Sequence, residues 1–284
     1  YDAVILATGT HVATRMEVPG EDAVGSVNGL DFLAEVANGA DVDLTGKRVV
    51  VVGGGNVAMD AARVSLRLGA DEARVAYRRT RAEMPAHHVE SKDAEAEGAL
   101  FELLVAPTEV VVRDGRVTGI RLQRMQLGAP DASGRRSPEP IPGSEYTLDC
   151  DLVISTIGMS PDPVPFAALA DKRGRISVDT RTLQTTVDHL FAAGDVTAGA
   201  TDITRAIGSG RRAAHMVDRW LTGRPLDGFT ALDDRLETIG SDKVLARQTA
   251  FGHRHPVSGD VALVANPRDF TEIEAPLTEA QARS

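Results

Sequence analysis

The chain has little cysteine and little basic charge. Cys150 is the single cysteine among 284 residues, which excludes an internal disulfide and any thiolate metal cluster built from this chain alone. Its 31 lysines and arginines face 41 acidic residues, giving a net charge of −10. That balance argues against a nucleic-acid-binding surface. No apolar run approaches the roughly 20 residues of a membrane-spanning helix, so we expect no membrane partner and a cytoplasmic protein.

Metal-binding patterns are also lacking. The seven histidines show no spacing typical of a metal site, and the adjacent His87 and His88 do not share one face of a helix. We therefore expect solvent-exposed histidines and no metal ligand. Cys150 is expected to be a small, half-buried residue rather than a reactive thiol. The 42% hydrophobic and 25% charged residues are typical of a globular protein with a sizeable core.

The most informative segment is a predicted strand–turn–helix–strand unit. Its pattern predicts a strand over 48–52, a glycine-rich turn, a helix over 56–68 and a second strand over 73–77. Such a unit holds a dinucleotide pyrophosphate at the start of its helix. An ordinary glycine-rich turn with solvated surface arginines is the alternative.

Each residue type of the turn has a physical reason. Gly53 permits a tight turn, and Gly55 lets the backbone approach the pyrophosphate without an intervening side chain. Asn56 begins the helix, and Ala58 stands where the fingerprint accepts Gly or Ala. The free N–H groups and the dipole of the first helical turn favour phosphates. We therefore predict that these four residues bind a cofactor.

The end of the second strand selects the cofactor. An acidic residue there would accept from a ribose 2′-hydroxyl group and repel a 2′-phosphate, but this chain has Arg78 and Arg79, with Arg81 just beyond. Guanidinium groups bind phosphates well. The sequence therefore predicts NADP(H) rather than NAD(H).

The rest of the chain is predicted from local patterns. Helices are expected over 31–37, 83–97 and 202–222. Strands are expected over 4–7, 100–105, 110–112, 117–125, 145–148, 151–157, 176–178 and 189–191. The segment 128–143 is expected to be a loop because it is rich in Pro, Gly and Ser. Partial helix is expected over 237–251 in an otherwise irregular tail.

A second chemical site is expected after the strand predicted over 189–191. Gly194 and Asp195 lie at its mouth, where the carboxylate accepts from a sugar or ribityl hydroxyl group; an ordinary turn aspartate is the alternative. Thr201 or Asp202 is expected to cap the following helix. Gly208 and Gly210 in that helix cost about 1 kcal/mol each relative to Ala, and close approach by a backbone or a cofactor would explain them.

Four motifs together resemble the small subunit of NADPH-dependent glutamate synthase and its relatives. The motifs are Ala7-Thr8-Gly9, Gly53-Gly54-Gly55-Asn56-Val57-Ala58-Met59-Asp60, Tyr77-Arg78-Arg79-Thr80-Arg81-Ala82-Glu83-Met84-Pro85-Ala86 and Ala193-Gly194-Asp195. The resemblance implies an α/β two-dinucleotide-binding flavoprotein fold, in which an NAD(P)-binding Rossmann-like domain is inserted into an FAD-binding domain. It divides the chain into an FAD segment at 1–28, an NADP(H) domain at 29–158, a returning FAD segment at 159–228 and an irregular extension at 229–284.

The same resemblance assigns roles to residues. It places the pyrophosphate at the glycine turn and the 2′-phosphate at Arg78 and Arg79. It places Asp195 on the FAD ribityl chain, Thr204 where a helix meets the flavin ring, and Gly158 where the chain crosses back to the FAD domain. The glycine motif that grips FAD would precede residue 1, so we expect a fragment. Residues 277–283 weakly resemble the lead-in to a cysteine-rich iron–sulfur segment.

The implied activity is hydride transfer from NADPH to FAD, with electrons leaving through iron–sulfur centres elsewhere or on a large partner subunit. We predict no catalytic acid or base. A thioredoxin-reductase-like disulfide reductase is less favoured, because it needs a cysteine pair beside the flavin. A non-catalytic redox sensor or scaffold subunit is the alternative from another class. Asp60 either faces the contact between flavin and nicotinamide or merely favours the helix N-terminus.

Overall fold

The computed structural model describes residues 1–130, 136–162, 164–226 and Phe270. Its strands are β1 (Val4–Leu6), β2 (Val12–Ala13), β3 (Ser26–Asn28), β4 (Arg48–Val52), β5 (Glu72–Tyr77), β6 (Leu100–Leu103), β7 (Val105–Arg113), β8 (Arg116–Pro130), β9 (Arg136–Pro140), β10 (Tyr146–Asp149), β11 (Leu152–Ser155), β12 (Met159–Ser160) and β13 (Leu190–Ala192). Its α-helices are α1 (Gly29–Ala37), α2 (Asn56–Arg67), α3 (His88–Ala96), α4 (Asp195–Ala198) and α5 (Ile203–Leu221). Short 3₁₀ turns cover Arg81–Glu83 and Val164–Leu169.

The described residues form two compact units. The first contains Tyr1–Val12 and residues 159–226, and the second contains Ala13–Gly158 and Phe270. In the first unit, β1 pairs with β13 in parallel, and α5 contributes the buried Ala213 to a small core.

The second unit is built on a parallel sheet in the order β3-β11-β4-β5-β6. Successive side chains of a strand point to opposite faces, and the valines of β4 use both. Val49 and Val51 pack into a core shared with α1, α2 and α3. Val50 and Val52 pack against the antiparallel strands β7 and β8. A strand buried on both faces explains the uninterrupted valine run.

Several predicted elements are confirmed. The strand Arg48–Val52 and the start of α2 at Asn56 match the predicted bounds, and β5, β11, β1 and α5 agree within a few residues. Helix α1 begins two residues earlier than predicted, where the Asn28 side chain accepts from Leu30 N–H at 2.7 Å. An Asp114-Gly115 turn joins β7 and β8, and both residues have positive φ, as type I′ turns require.

The predicted helix over 83–97 is wrong in its first turns. The chain forms a 3₁₀ turn over Arg81–Glu83, and α3 begins only at His88. Met84 has extended backbone angles, φ −67° and ψ 125°, because the following Pro85 disfavours helical geometry in the residue before it.

The predicted loop over 128–143 is wrong over 128–130 and 136–140, which are strands. Strand β8 continues to Pro130 and pairs antiparallel with β9, whose Pro138 lies opposite Leu127. Prolines fit in β9 because β8 is its sole partner among the described strands, so β9 is an edge strand there. The connection over 131–135 lies outside the described residues.

Three smaller differences have local causes. The predicted strand over 100–105 is divided by Leu104, which has a φ of +56°. The predicted strand over 176–178 is reduced to an isolated bridge between Ile176 and Ala170. Helix α4 was not predicted, because four residues are too few to show a helical pattern.

The domain boundary predicted at residue 29 differs from the structure. Residues 13–28 belong to the second unit because β3 pairs with β11 and Met16 and Val18 pack against its core. The predicted partial helix over 237–251 and the resemblance over 277–283 lie outside the described residues.

Candidate functional site

A cavity of about 660 Å³ opens in the second unit. The turn after β4, the loop after β5, the start of β7 and the segment after β11 line it. It therefore lies at the carboxyl ends of parallel strands, where open α/β sheets bind ligands. Of the predicted cofactor residues, those that line it are Gly53, Gly55, Arg78, Arg79 and Gly158.

At two positions of the glycine turn, neighbouring protein atoms leave no room for a side chain. At the third position the space is open. A Cβ on Gly53 would lie 2.2 Å from Thr156 Oγ1 and 2.7 Å from the Thr156 carbonyl oxygen. A Cβ on Gly54 would lie 2.5 Å from the Tyr77 ring. At Gly55, no described atom lies within 4 Å of such a Cβ. Packing within the described protein therefore does not explain the absence of a side chain at Gly55.

The start of α2 presents backbone donors. Gly55 is the N-cap residue and has no side chain that accepts from the first-turn N–H groups. These groups and the positive end of the helix dipole form an anion-binding arrangement. Ala58 is fully buried in the core below the turn, which agrees with the close packing expected of this position.

The structure separates the two arginines that the sequence treated alike. Arg78 is exposed and makes no hydrogen bond or ion pair within the described part of the chain. Arg79 is only 5% exposed, and its Nε donates to the Arg136 carbonyl oxygen at 2.7 Å. Arg81 Nη2 lies 2.7 Å from Glu95 Oε1. Arg78 is thus the best placed of the three to meet a ligand phosphate.

Residues 78–87, which we call the arginine loop, are ordered by their own side chains. Thr80 and Glu83 form a capping box around the 3₁₀ turn. The hydrogen bond from the Thr80 hydroxyl group is the main cause that lowers the pKa of Glu83. Tyr77 Oη donates to the Glu83 carbonyl oxygen at 2.8 Å. The turn is therefore fixed against the end of β5.

The far end of the arginine loop is attached to the glycine turn. Ala86 N–H donates to the Gly54 carbonyl oxygen at 3.0 Å. His87 N–H donates to Asn56 Oδ1 at 2.9 Å. Asn56 was predicted to bind a cofactor, but in the structure its side-chain oxygen accepts from the loop. Sequence reasoning had no signal for this bond, which joins residues 31 positions apart.

The segment after β11 supports the turn from the other side. Thr156 Oγ1 donates to the Val52 carbonyl oxygen at 2.8 Å. Gly158, at φ +124°, accepts from Thr14 N–H at 3.0 Å. Thr156 was not among the predicted residues; the available signal was a hydroxyl residue between a buried strand and a glycine.

The first unit contains the predicted Gly194 and Asp195. Gly194 has a φ of +76°, and its N–H donates to Ser209 Oγ at 3.0 Å. Asp195 Oδ1 accepts from Thr201 Oγ1 at 2.5 Å and from Thr201 N–H at 3.2 Å. Of the two predicted caps of α5, Thr201 and Asp202, it is Asp202 that caps the helix, by accepting from Arg205 N–H. Asp195 is therefore oriented by Thr201, a contact that the sequence did not reveal.

The first turns of α5 are open to solvent. Thr204 is exposed, and Ile203 and Ile207 are 79% and 67% exposed. No described atom lies within 4 Å of a Cβ built on Gly208 or Gly210. Contacts within the described protein therefore do not explain these two glycines.

Two further ionisable groups have shifted pKa values. Burial is the main cause that raises the pKa of Cys150 to about 12, and the side chain is fully buried in the sheet core. The thiol is therefore protonated near neutral pH. Burial also raises the pKa of Asp60, with Glu90 adding to the rise and Arg63 opposing it.

Within the described residues, no group of three or more His, Cys, Asp or Glu side chains could hold a metal ion. No helix there has the length and apolar character needed to cross a membrane.

The chain is similar to known proteins of one family. Residues 1–215 match the family described as pyridine nucleotide-disulphide oxidoreductase. The NADP(+)-dependent formate dehydrogenase subunit beta of Moorella thermoacetica is 44% identical over 285 residues, covering 96% of this chain and 40% of that protein. The glutamate synthase (NADPH) small chain of Escherichia coli strain K12 is 37% identical over 239 residues, covering 78% and 51%. These matches confirm the family resemblance inferred from the motifs. The chain spans about 40% of the length of the first relative.

Solved structures resemble the fold at low sequence identity. FprA from Mycobacterium tuberculosis in complex with NADPH has a TM-score of 0.67 and 21% identity, covering 88% of this chain and 68% of that chain. T. acidophilum thioredoxin reductase has a TM-score of 0.58 and 23% identity, covering 78% and 66%. These likenesses confirm the predicted α/β fold class.

Proposed function

The chain belongs to the pyridine nucleotide-disulphide oxidoreductase family, and from that membership we propose that it is the NADPH-to-FAD hydride-transfer module of a flavin-dependent oxidoreductase. Relatives named for NADP(+) or NADPH, such as the formate dehydrogenase and glutamate synthase subunits, support this choice. The proposal concerns the module that this chain forms, since the chain spans 40% of the length of the first relative.

The observation that carries the proposal is the bare Gly55 in the cavity. Its Cβ position is open while those of Gly53 and Gly54 are filled by protein. A cleft that keeps a glycine where the protein does not need one is suited to close approach by a pyrophosphate. The N–H groups at the start of α2 would hold the phosphates.

Cofactor choice would rest mainly on Arg78. Its exposed guanidinium group follows β5 at the cavity, where a 2′-phosphate would receive charge-assisted hydrogen bonds. Arg79 would contribute chiefly by ordering the site, since its Nε is committed to the Arg136 carbonyl oxygen. NADP(H) is therefore favoured over NAD(H).

The first unit would hold FAD. Asp195, oriented by Thr201, has a carboxylate available to ribityl hydroxyl groups, next to the positive-φ turn at Gly194. Thr204 and the N–H groups at the start of α5 would meet the ring, where the helix dipole favours negative charge. FAD, when bound, supplies the hydride acceptor. The protein contributes orientation and electrostatics, and we assign no residue as a catalytic acid or base.

Electrons would leave through iron–sulfur centres or a large partner subunit. Several relatives are named as beta subunits or small chains, which supports a partner subunit. A thioredoxin-reductase-like route gains no support, because Cys150 is the only cysteine and is fully buried. The cytoplasmic location stays a prediction.

Anaerobic titration with NADPH tests the proposal. The full-length protein with FAD bound should lose the visible flavin absorption on addition of NADPH, and much more slowly with NADH. A protein that binds NADPH with unchanged flavin absorption would instead be the non-catalytic sensor or scaffold, which would refute hydride transfer.

A further inference from the structure

We propose that Asn56 is a positioning residue that sets the preference for the 2′-phosphate by holding the arginine loop through its side-chain oxygen. The inference deepens the proposed function and rests on it. Asn56 is the first residue of α2, directly after the phosphate-binding turn. Its sequence position would suggest a phosphate contact, but its observed hydrogen bond joins it to the arginine loop.

The arginine loop is attached at both of its ends. Strand β5 fixes the beginning of the loop, where Arg78 follows Tyr77. The end of the loop is outside the sheet and is tied to the glycine turn by Asn56 Oδ1 and the Gly54 carbonyl oxygen, which accept from His87 and Ala86. Of these two hydrogen bonds, only the one to Asn56 can be removed by a side-chain substitution, because the other joins two backbone groups.

The same attachment also orients the glycine turn. The carbonyl and N–H groups of a trans peptide point in opposite directions. The Gly54 carbonyl oxygen accepts from Ala86, so the Gly55 N–H is directed away from the loop. One set of bonds therefore orders both the backbone donors of the pyrophosphate turn and the segment that carries Arg78.

The Asn56 side chain carries one acceptor, Oδ1, and one donor group, Nδ2. The acceptor has no attractive interaction with an anionic phosphate oxygen, so among the side-chain atoms only Nδ2 could bind one. The bond that Oδ1 accepts from His87 N–H forms without a ligand. The side chain is therefore suited to preorganising the arginine loop, which reduces the ordering cost of binding. Losing one hydrogen bond should narrow the preference for a 2′-phosphate by roughly three- to tenfold.

The test compares Asn56→Leu with Asn56→Asp in the full chain. Calorimetric affinities are measured for 2′-phospho-ADP-ribose and ADP-ribose, which differ only in the phosphate and need no flavin. Asn56→Leu removes the acceptor but keeps a side chain of similar size, so it should weaken the binding of 2′-phospho-ADP-ribose more than the binding of ADP-ribose. Asn56→Asp keeps the acceptor. Its negative charge should weaken the binding of both ligands while preserving most of the ratio of their affinities.

Equal losses for both ligands in Asn56→Leu would overturn the inference, because they would mean a direct contact with the shared diphosphate. The inference would also be overturned if Asn56→Asp reduced the ratio of the two ligand affinities as much as Asn56→Leu does. Asn56→Ala replaces the leucine variant if that one does not fold. A wild-type chain without any preference for 2′-phospho-ADP-ribose would refute the proposed cofactor rather than the role of Asn56.

In a double-mutant cycle, Arg78→Ala should cost less affinity for 2′-phospho-ADP-ribose in the Asn56→Leu background than alone, because both changes act through one loop. Strict additivity would contradict the coupling.

Discussion

Alanine substitutions at Gly53 and Gly55 separate the needs of the fold from those of the ligand. At Gly55 the backbone angles, φ −91° and ψ 179°, suit any residue, and the new methyl group meets no described atom within 4 Å. Gly55→Ala should leave the free energy of unfolding unchanged or raise it by about 0.4–1 kcal/mol, because alanine restricts the unfolded chain. The methyl group enters the cavity, so the affinity for NADPH should fall at least about tenfold, or ~1.4 kcal/mol.

Gly53→Ala is the matched control. Its Cβ would overlap Thr156 at 2.2 Å and 2.7 Å, and its φ of +146° strains any other residue. The free energy of unfolding should fall by about 1–3 kcal/mol or more. Denaturant unfolding and calorimetric titration with NADPH measure both quantities for each variant. Undiminished NADPH affinity in Gly55→Ala, or destabilisation as large as that of Gly53→Ala, would refute the reasoning.

Three further predictions concern Arg79, Glu97 and Cys150. Arg79→Ala should lower the free energy of unfolding by about 1–3 kcal/mol, because it leaves the Arg136 carbonyl oxygen without its charged donor; no change in denaturant unfolding would argue against that bond. Burial raises the pKa of Glu97, but hydrogen bonds from two arginines of α2 outweigh burial and lower it. The carboxylate therefore stabilises the fold above its unfolded pKa of about 4.3, and this contribution is lost as the pH falls through the lower folded pKa. Unfolding followed against pH should show a smaller acid-induced loss in Glu97→Gln, and an identical profile would contradict the assignment. Cys150 should resist alkylation in the native state near neutral pH, because burial raises its pKa to about 12, and should react on unfolding; rapid native labelling, followed by mass spectrometry, would contradict its burial.

The sequence predicted the β4–α2–β5 unit well because its signals are local. Buried valines, a glycine turn and a helical stripe lie within 30 residues, and each agrees with the others. The β8–β9 hairpin was missed because its stability comes from edge pairing, while its prolines and glycine are typical of loops.

Site details that depend on distant contacts could not be predicted. The sequence gives no sign that Arg79 is buried and bonded to Arg136, 57 positions away, while Arg78 stays exposed. The same holds for Asn56 and His87, and for Asp195 and its partner Thr201. Several residues that line the cavity could therefore be predicted from the sequence, but the contacts that each of them makes required the structure.

The most direct test of the account is the affinity of the wild type and of Arg78→Ala for NADPH and NADH. We expect the wild type to prefer NADPH. Arg78→Ala should reduce NADPH affinity by a factor of about 10–150, the effect of losing hydrogen bonds to a charged group (~1.5–3 kcal/mol), while NADH affinity stays nearly constant. Equal losses for the two nucleotides, or none for either, would contradict the claim that this cleft recognises a 2′-phosphate through Arg78.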